Sequence, residues 1–223
     1  MDLTGQKGMA PAATVRNEVM MDTTLPPQES LQPQMSEAEV ALMDKYTPDG
    51  CILEFGAGGS SAFFAEKGVR QLISVESDRE WINRMLLGNS TLREWAKARR
   101  WCPFHVEIGA TGEWGFPLSH EPDVAWLNYH QVIWDAVDAS SLDFVLVDGR
   151  FRVACALQLL LRTREKTPLI MVHDFTPREY YHVLLEYFDV VEQADTAVIL
   201  ERKTPVSFAE VALCVQRHQF DNR

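Results

Sequence analysis

The chain has 223 residues, 46% hydrophobic and 24% charged, which suits one substantial hydrophobic core and argues against two. Its 21 Lys and Arg against 32 Asp and Glu leave a net charge of −11, the opposite of the basic surface that nucleic-acid or anionic-membrane binding requires. The four cysteines, Cys51, Cys102, Cys155 and Cys214, form no C-x-x-C pair and are expected to be reduced and structural. No apolar window approaches a membrane span and the N-terminus lacks a secretion-signal layout, so a cytoplasmic protein is expected.

Residues 1–34, rich in Pro, Gln, Thr and Met, hold no apolar period and read as a flexible tail, or as an arm across the partner of a homodimer. A folded domain is expected over 35–223. It opens at the capping box Ser36-Glu37-Ala38-Glu39, whose helix presents Val40, Met43 and Tyr46 on one face and ends at Pro48-Asp49-Gly50. Strands are predicted at Cys51–Phe55, Gln71–Glu76, Phe104–Ile108, Asp143–Asp148 and Leu169–His173. Helices are predicted around Ser61–Lys67, Asp78–Leu87, Thr91–Ala98, Ala125–Val137 and Arg152–Arg164. Such alternation implies an α/β three-layer sandwich with a mostly parallel sheet and helices on both faces. Phe188–Gln193 and Thr196–Arg202, separated by two residues, read as an antiparallel hairpin, and a second capping box at Ser207 and Glu210 opens a last amphipathic segment.

The first strand runs directly into Gly56-Ala57-Gly58-Gly59-Ser60-Ser61 and then a helix, an arrangement that lets a ligand approach bare backbone N–H groups. A tight strand-to-helix turn would need the same glycines for steric reasons alone. The second strand ends Val75-Glu76-Ser77, placing a carboxylate where it could accept the two hydroxyls of a ribose. A dinucleotide fingerprint would want Gly or Ala at Ser61 and asks for no acid at Glu54, so S-adenosylmethionine is favoured over NAD.

With Glu54-Phe55-Gly56-Ala57-Gly58, Val75-Glu76, Val147-Asp148-Gly149 and the closing hairpin, the chain resembles the class I S-adenosylmethionine-dependent methyltransferases over roughly residues 36–202. That resemblance implies a Rossmann-like sheet of seven strands, the last inserted antiparallel beside the fifth. It implies that Glu54, Gly56, Gly58 and Ser60 lie near the methionine part of the cofactor and that Glu76 and Ser77 lie on the ribose. The adenine would lie near Ile108 and Gly109. No Asp or Asn follows the third strand, so Thr111 or its backbone would take the adenine contact, and Trp114 would be either a stacking lid or a packing plug.

Asp148 ends the fourth strand, while His173 and Asp174 end the fifth, so the three should meet at one sheet edge as a catalytic group. The arrangement is similar to O-methyltransferases in which two acids hold Mg²⁺ or Mn²⁺ against a substrate hydroxyl. The alternatives are that Asp148 and Asp174 cap helices, or that His173 acts as general base without metal. Arg150 and Arg152 would bind a carboxylate or phosphate of the substrate, or pair with the neighbouring acids. The expected activity is O-methylation of a small-molecule or sugar-like acceptor. A non-catalytic cofactor- or partner-binding protein on the same fold, or an NAD-dependent oxidoreductase, are the alternatives.

Overall fold

The computed structural model describes residues 31–163 and 166–223. Helix α1 (Glu37–Tyr46) is capped as expected, the Ser36 hydroxyl accepting the Glu39 N–H while Glu39 accepts the Ser36 N–H. Strand β1 (Cys51–Phe55) leads through the glycine turn to α2 (Gly59–Lys67), then β2 (Gln71–Glu76) and the short α3 (Arg79–Trp81), which continues as a π-turn over Ile82–Leu86. There follow α4 (Ser90–Lys97), β3 (Trp101–His105), the broken helical segment around α5 (Leu127–Gln131), β4 (Phe144–Val147), α6 (Arg152–Arg162), β5 (Leu169–Val172), the hairpin β6 (Phe188–Ala194) and β7 (Ala197–Arg202), and α7 (Phe208–His218).

The seven strands take the order β3-β2-β1-β4-β5-β7-β6. The first five are parallel, and β7 enters antiparallel to both β5 and β6. Side chains alternate across this sheet, as they must when both faces are covered. From β1 and β4, Leu53, Phe55, Val145 and Val147 join the core beneath α5, α6 and α7, whereas Ile52, Phe144 and Leu146 join the core beneath α1, α2 and α4. Each such fully buried side chain stabilises the fold by roughly 1.5–3 kcal/mol relative to exposure.

Three boundaries differ from the sequence reading. β3 pairs over Trp101–His105 instead of Phe104–Ile108, because Pro103 is tolerated on an edge strand and Trp101 finds a buried place beside Leu72. The helix expected over Ala125–Val137 breaks into short turns, with α-helix only over Leu127–Gln131. The tail expected over 1–34 ends earlier: Leu31 packs against the second core and the Gln32–Pro33 backbone lies where a side chain on Gly59 would stand. Residues 1–30, and the expected end of α6 at 164, lie outside the described residues. The cysteines are unpaired, three buried and Cys102 exposed.

Candidate functional site

The strand order reverses between β1 and β4, and in open α/β sheets the crevice beyond the strand ends at such a point is where ligands bind. Here two glycines face each other. Gly56 has φ 92°, and a Cβ on it would stand 2.6 Å from the Gly149 Cα, so the ends of β1 and β4 approach more closely than any side chain allows. A Cβ on Gly149 would strike the Tyr129 hydroxyl. Gly58, by contrast, opens onto free space at the start of α2, with no atom within 4 Å of its missing Cβ.

Glu76 closes one side of this crevice. It is 8% exposed and its carboxylate accepts the N–H groups of Ala57 (3.1 Å), Ser77 (2.7 Å) and Asp78 (2.8 Å), joining the β2 tip to the glycine turn. Burial raises its pKa, and those three amides oppose the rise. The Trp81 indole N–H donates to the Ala57 carbonyl at 2.8 Å and holds the same turn from α3. Beyond β3, residues 110–118 fold back through a Thr111–Pro117 bridge, and Trp114 is 72% exposed at the tip with φ 59°. It is therefore not a packing plug.

Glu54 is placed differently from its expected position beside a ligand. It is fully buried under the first turn of α2, accepting hydroxyls from Ser60 (2.7 Å), Ser74 (2.5 Å) and Ser61. Ser60 is turned inward with it. Burial lifts the Glu54 pKa to about 7 against the lowering influence of those three serines. The Trp101 indole N–H extends the network to the Ser74 oxygen at 2.8 Å, so Glu54 anchors α2 to the sheet from below.

At the β4 and β5 ends the expected cluster forms: Asp148, His173 and Asp174 bring ligand-type atoms within 4.8 Å of one another. The surroundings do not suit a divalent cation. Arg152, with its side chain 3% exposed, reaches Asp148 Oδ1 (3.4 Å) and Asp174 Oδ2 (3.2 Å), and Arg178 takes the same Asp174 oxygen at 2.7 Å. Two guanidinium groups already neutralise the acids, and a metal would sit against both. Arg152 also donates to the carbonyls of Gly149 (2.9 Å) and His173, which makes it a tie between strand ends and not an exposed substrate contact.

His173 is equally enclosed. Nδ1 lies 2.8 Å from Asp148 Oδ1 and Nε2 lies 3.4 Å from Glu39 Oε2 of α1. Burial alone would lower its pKa, but Asp148, Asp174 and Glu39 outweigh burial and raise it. Both ring nitrogens face carboxylates, so the arrangement clamps α1 onto the sheet and leaves no nitrogen turned to a substrate. Glu39 entered the sequence reading only as a helix cap; nothing local marks its second role, which includes accepting the Thr196 N–H at 2.9 Å.

Arg150 contrasts with Arg152. It is 5% exposed, its guanidinium carbon lies 3.9 Å from the Phe116 ring centroid, and its Nε and Nη1 have no partner among the described residues. Burial, reinforced by Arg152, lowers its pKa. Tyr129 accepts the Arg150 N–H at 3.4 Å, a contact that the sequence pattern did not signal.

No protein-family model and no curated relative matches the sequence. Among solved structures, the chain is similar to a methyltransferase-like protein from Silicibacter pomeroyi at 26% identity and a TM-score of 0.71, covering 87% of this chain and all of that one. The fold is the Rossmann-like α/β fold of that methyltransferase-like protein. Looser likenesses are an RNA methyltransferase from Salinibacter ruber in complex with S-adenosyl-L-homocysteine (12% identity, TM-score 0.46, 78% of this chain and 95% of that one) and a ribosomal protein L11 methylase from Lactobacillus delbrueckii subsp. bulgaricus (14%, 0.43, 74% and 76%). No helix among the described residues is long and apolar enough to cross a membrane.

Proposed function

We propose that this methyltransferase-fold protein binds S-adenosylmethionine in the crevice between the Gly56–Gly58 turn and Glu76 and transfers its methyl group to a hydroxyl of a small or sugar-like acceptor. The observation that carries the reading is the buried Glu76 carboxylate at the β2 tip, beside a bare glycine turn at the point where strand order reverses. Ribose hydroxyls would donate to Glu76. Gly58 and the start of α2 would receive the methionine end, and Ser77 with the 109–111 backbone and Thr111 would border the adenine.

Methyl transfer asks the protein to hold the acceptor oxygen in line with the sulfonium carbon and to accept a proton. Asp148 is the group for the proton. Its side chain is a quarter exposed, and His173 and Arg152 both hold Oδ1. Asp174, tied to Arg152 and Arg178, keeps that assembly in position, and no divalent ion enters the mechanism. Calorimetry with S-adenosylhomocysteine and with NAD, together with transfer of label from methyl-labelled S-adenosylmethionine into the small-molecule fraction of an extract, tests the reading. NAD binding in place of S-adenosylhomocysteine would overturn the cofactor, and label appearing in protein or nucleic acid would overturn the acceptor class.

A further inference from the structure

The buried side-chain polar atoms that lack partners among the described residues all come from one neighbourhood: Arg150 Nε and Nη1, Trp126 Nε1 and His130 Nδ1. The Trp126 and His130 rings lie 5.8 Å and 6.2 Å from that of Phe151, which follows Arg150 in the chain. Buried polar groups in folded proteins are nearly always satisfied, so several orphans in one place mark a space intended for something else. Three of the four are donors, two of them on one charged guanidinium. An isolated buried charge is among the most costly groups a fold can hold, and its neighbour Arg152 shows that this sheet edge can saturate a guanidinium when it needs to.

A route to the space exists. Phe116, which covers the Arg150 guanidinium, and Trp126 both line a groove of about 690 Å³ that His120, Arg217, Phe220 and Arg223 also line. The groove belongs to the loop after β3 and to the C-terminal segment. Arg150 follows Gly149, which abuts Gly56, so the backbone that carries this guanidinium leaves the sheet beside the turn assigned above to the cofactor.

We infer that the space around Arg150 and Trp126, reached by moving Phe116, is a subsite for an oxyanion of the acceptor, a carboxylate or a phosphate group. This rests on the methyltransferase reading and narrows its acceptor to small anionic molecules. An oxyanion supplies several acceptor lone pairs to the orphaned donors and neutralises the guanidinium. With Phe116 moved aside, the planar Arg150 guanidinium offers its donors in one plane, which suits paired oxygens of a carboxylate or phosphate.

The test is a titration of the intact protein, saturated with S-adenosylhomocysteine, with benzoate, with phenyl phosphate and with neutral benzamide. The ¹⁵N-indole resonance of Trp126, assigned through Trp126→Phe, is the readout. One of the two anions is expected to shift that resonance saturably while benzamide does not, and the stronger of the two identifies the group. Arg150→Met should weaken the anion at least about tenfold, the loss of a charge-assisted bond. Should Arg150→Met not fold, Arg150→Lys keeps the charge without the fork and should also weaken the anion. Absence of any anion shift, an equal shift with benzamide, or unaltered anion binding in these variants would overturn the subsite and leave water as its occupant. Failure of the methyltransferase reading is separable: the wild-type protein would then not bind S-adenosylhomocysteine, whatever the anions do.

Discussion

Glu76 and Glu54 lie at the same sheet edge, on neighbouring strands, yet only one faces the crevice. Replacing Glu76 with Ala removes the proposed partner of two ribose hydroxyls, each charge-assisted bond worth about 1.5–3 kcal/mol, so S-adenosylhomocysteine affinity in calorimetry is expected to fall by more than about tenfold. Glu54 is buried beneath the turn among three serines, and its signature is in stability. Its folded pKa, about 7, exceeds the ordinary value of 4.5, so its contribution is complete below about pH 4.5 and is lost as pH rises through about 7. Glu54→Gln keeps the serine contacts without the charge. At pH 8 the variant is expected to be more stable than the wild type by on the order of 2–3 kcal/mol in denaturant unfolding, and the gain should vanish at pH 4.5. A variant less stable at both pH values would show that the serines need the carboxylate.

At the scale of elements, the closeness of β1 and β4 and the clamp on α1 are the two features that hold the site. Gly56→Ala combines a left-handed φ with a Cβ 2.6 Å from Gly149, and a loss of about 3 kcal/mol or more in denaturant unfolding is expected. The acids at the β4 and β5 ends are held by Arg152, Arg178 and His173, so turnover should survive EDTA; loss of turnover with recovery on Mg²⁺ would contradict the arginine ties. The raised His173 pKa gives the α1 clamp a pH window. Its stabilisation is complete below the ordinary imidazole value near 6.5 and is lost as pH rises through the higher folded value. His173→Gln is accordingly expected to lower the thermal midpoint at pH 6 and to have a smaller effect at pH 9.

For the whole molecule, the alternating pattern of short apolar runs and amphipathic stretches was enough to read the sandwich, because a strand buried on both faces must be apolar throughout and each crossover must be long. The glycine turn, the Glu76 tip and the closing hairpin are likewise local patterns, and they were legible for that reason. The N-terminal boundary was not: Leu31 is a single apolar residue with no period, and only the docked chain reveals that it packs on the core. Deleting residues 1–30 is expected to leave the thermal midpoint nearly unchanged. Deletion through Met35 removes two core contacts and should lower it by several degrees, as about 1 kcal/mol does in a domain of this size.

By itself the sequence determined the fold class, the place of the glycine turn and the gathering of Asp148, His173 and Asp174 at one edge, since strand ends in a parallel sheet meet whatever their side chains do. Tertiary structure alone decided what those side chains face. Asp148 meets His173 from β5, His173 meets Glu39 from α1, and Glu54 meets Ser74 from β2, each pair far apart in the chain. Arg150 and Arg152 are two residues apart and chemically identical, yet one is saturated by acids and carbonyls, while the other lies beneath Phe116 with its Nε and Nη1 unpartnered among the described residues. Composition and spacing cannot separate them, because which way a buried guanidinium turns depends on groups brought to it by other strands and loops.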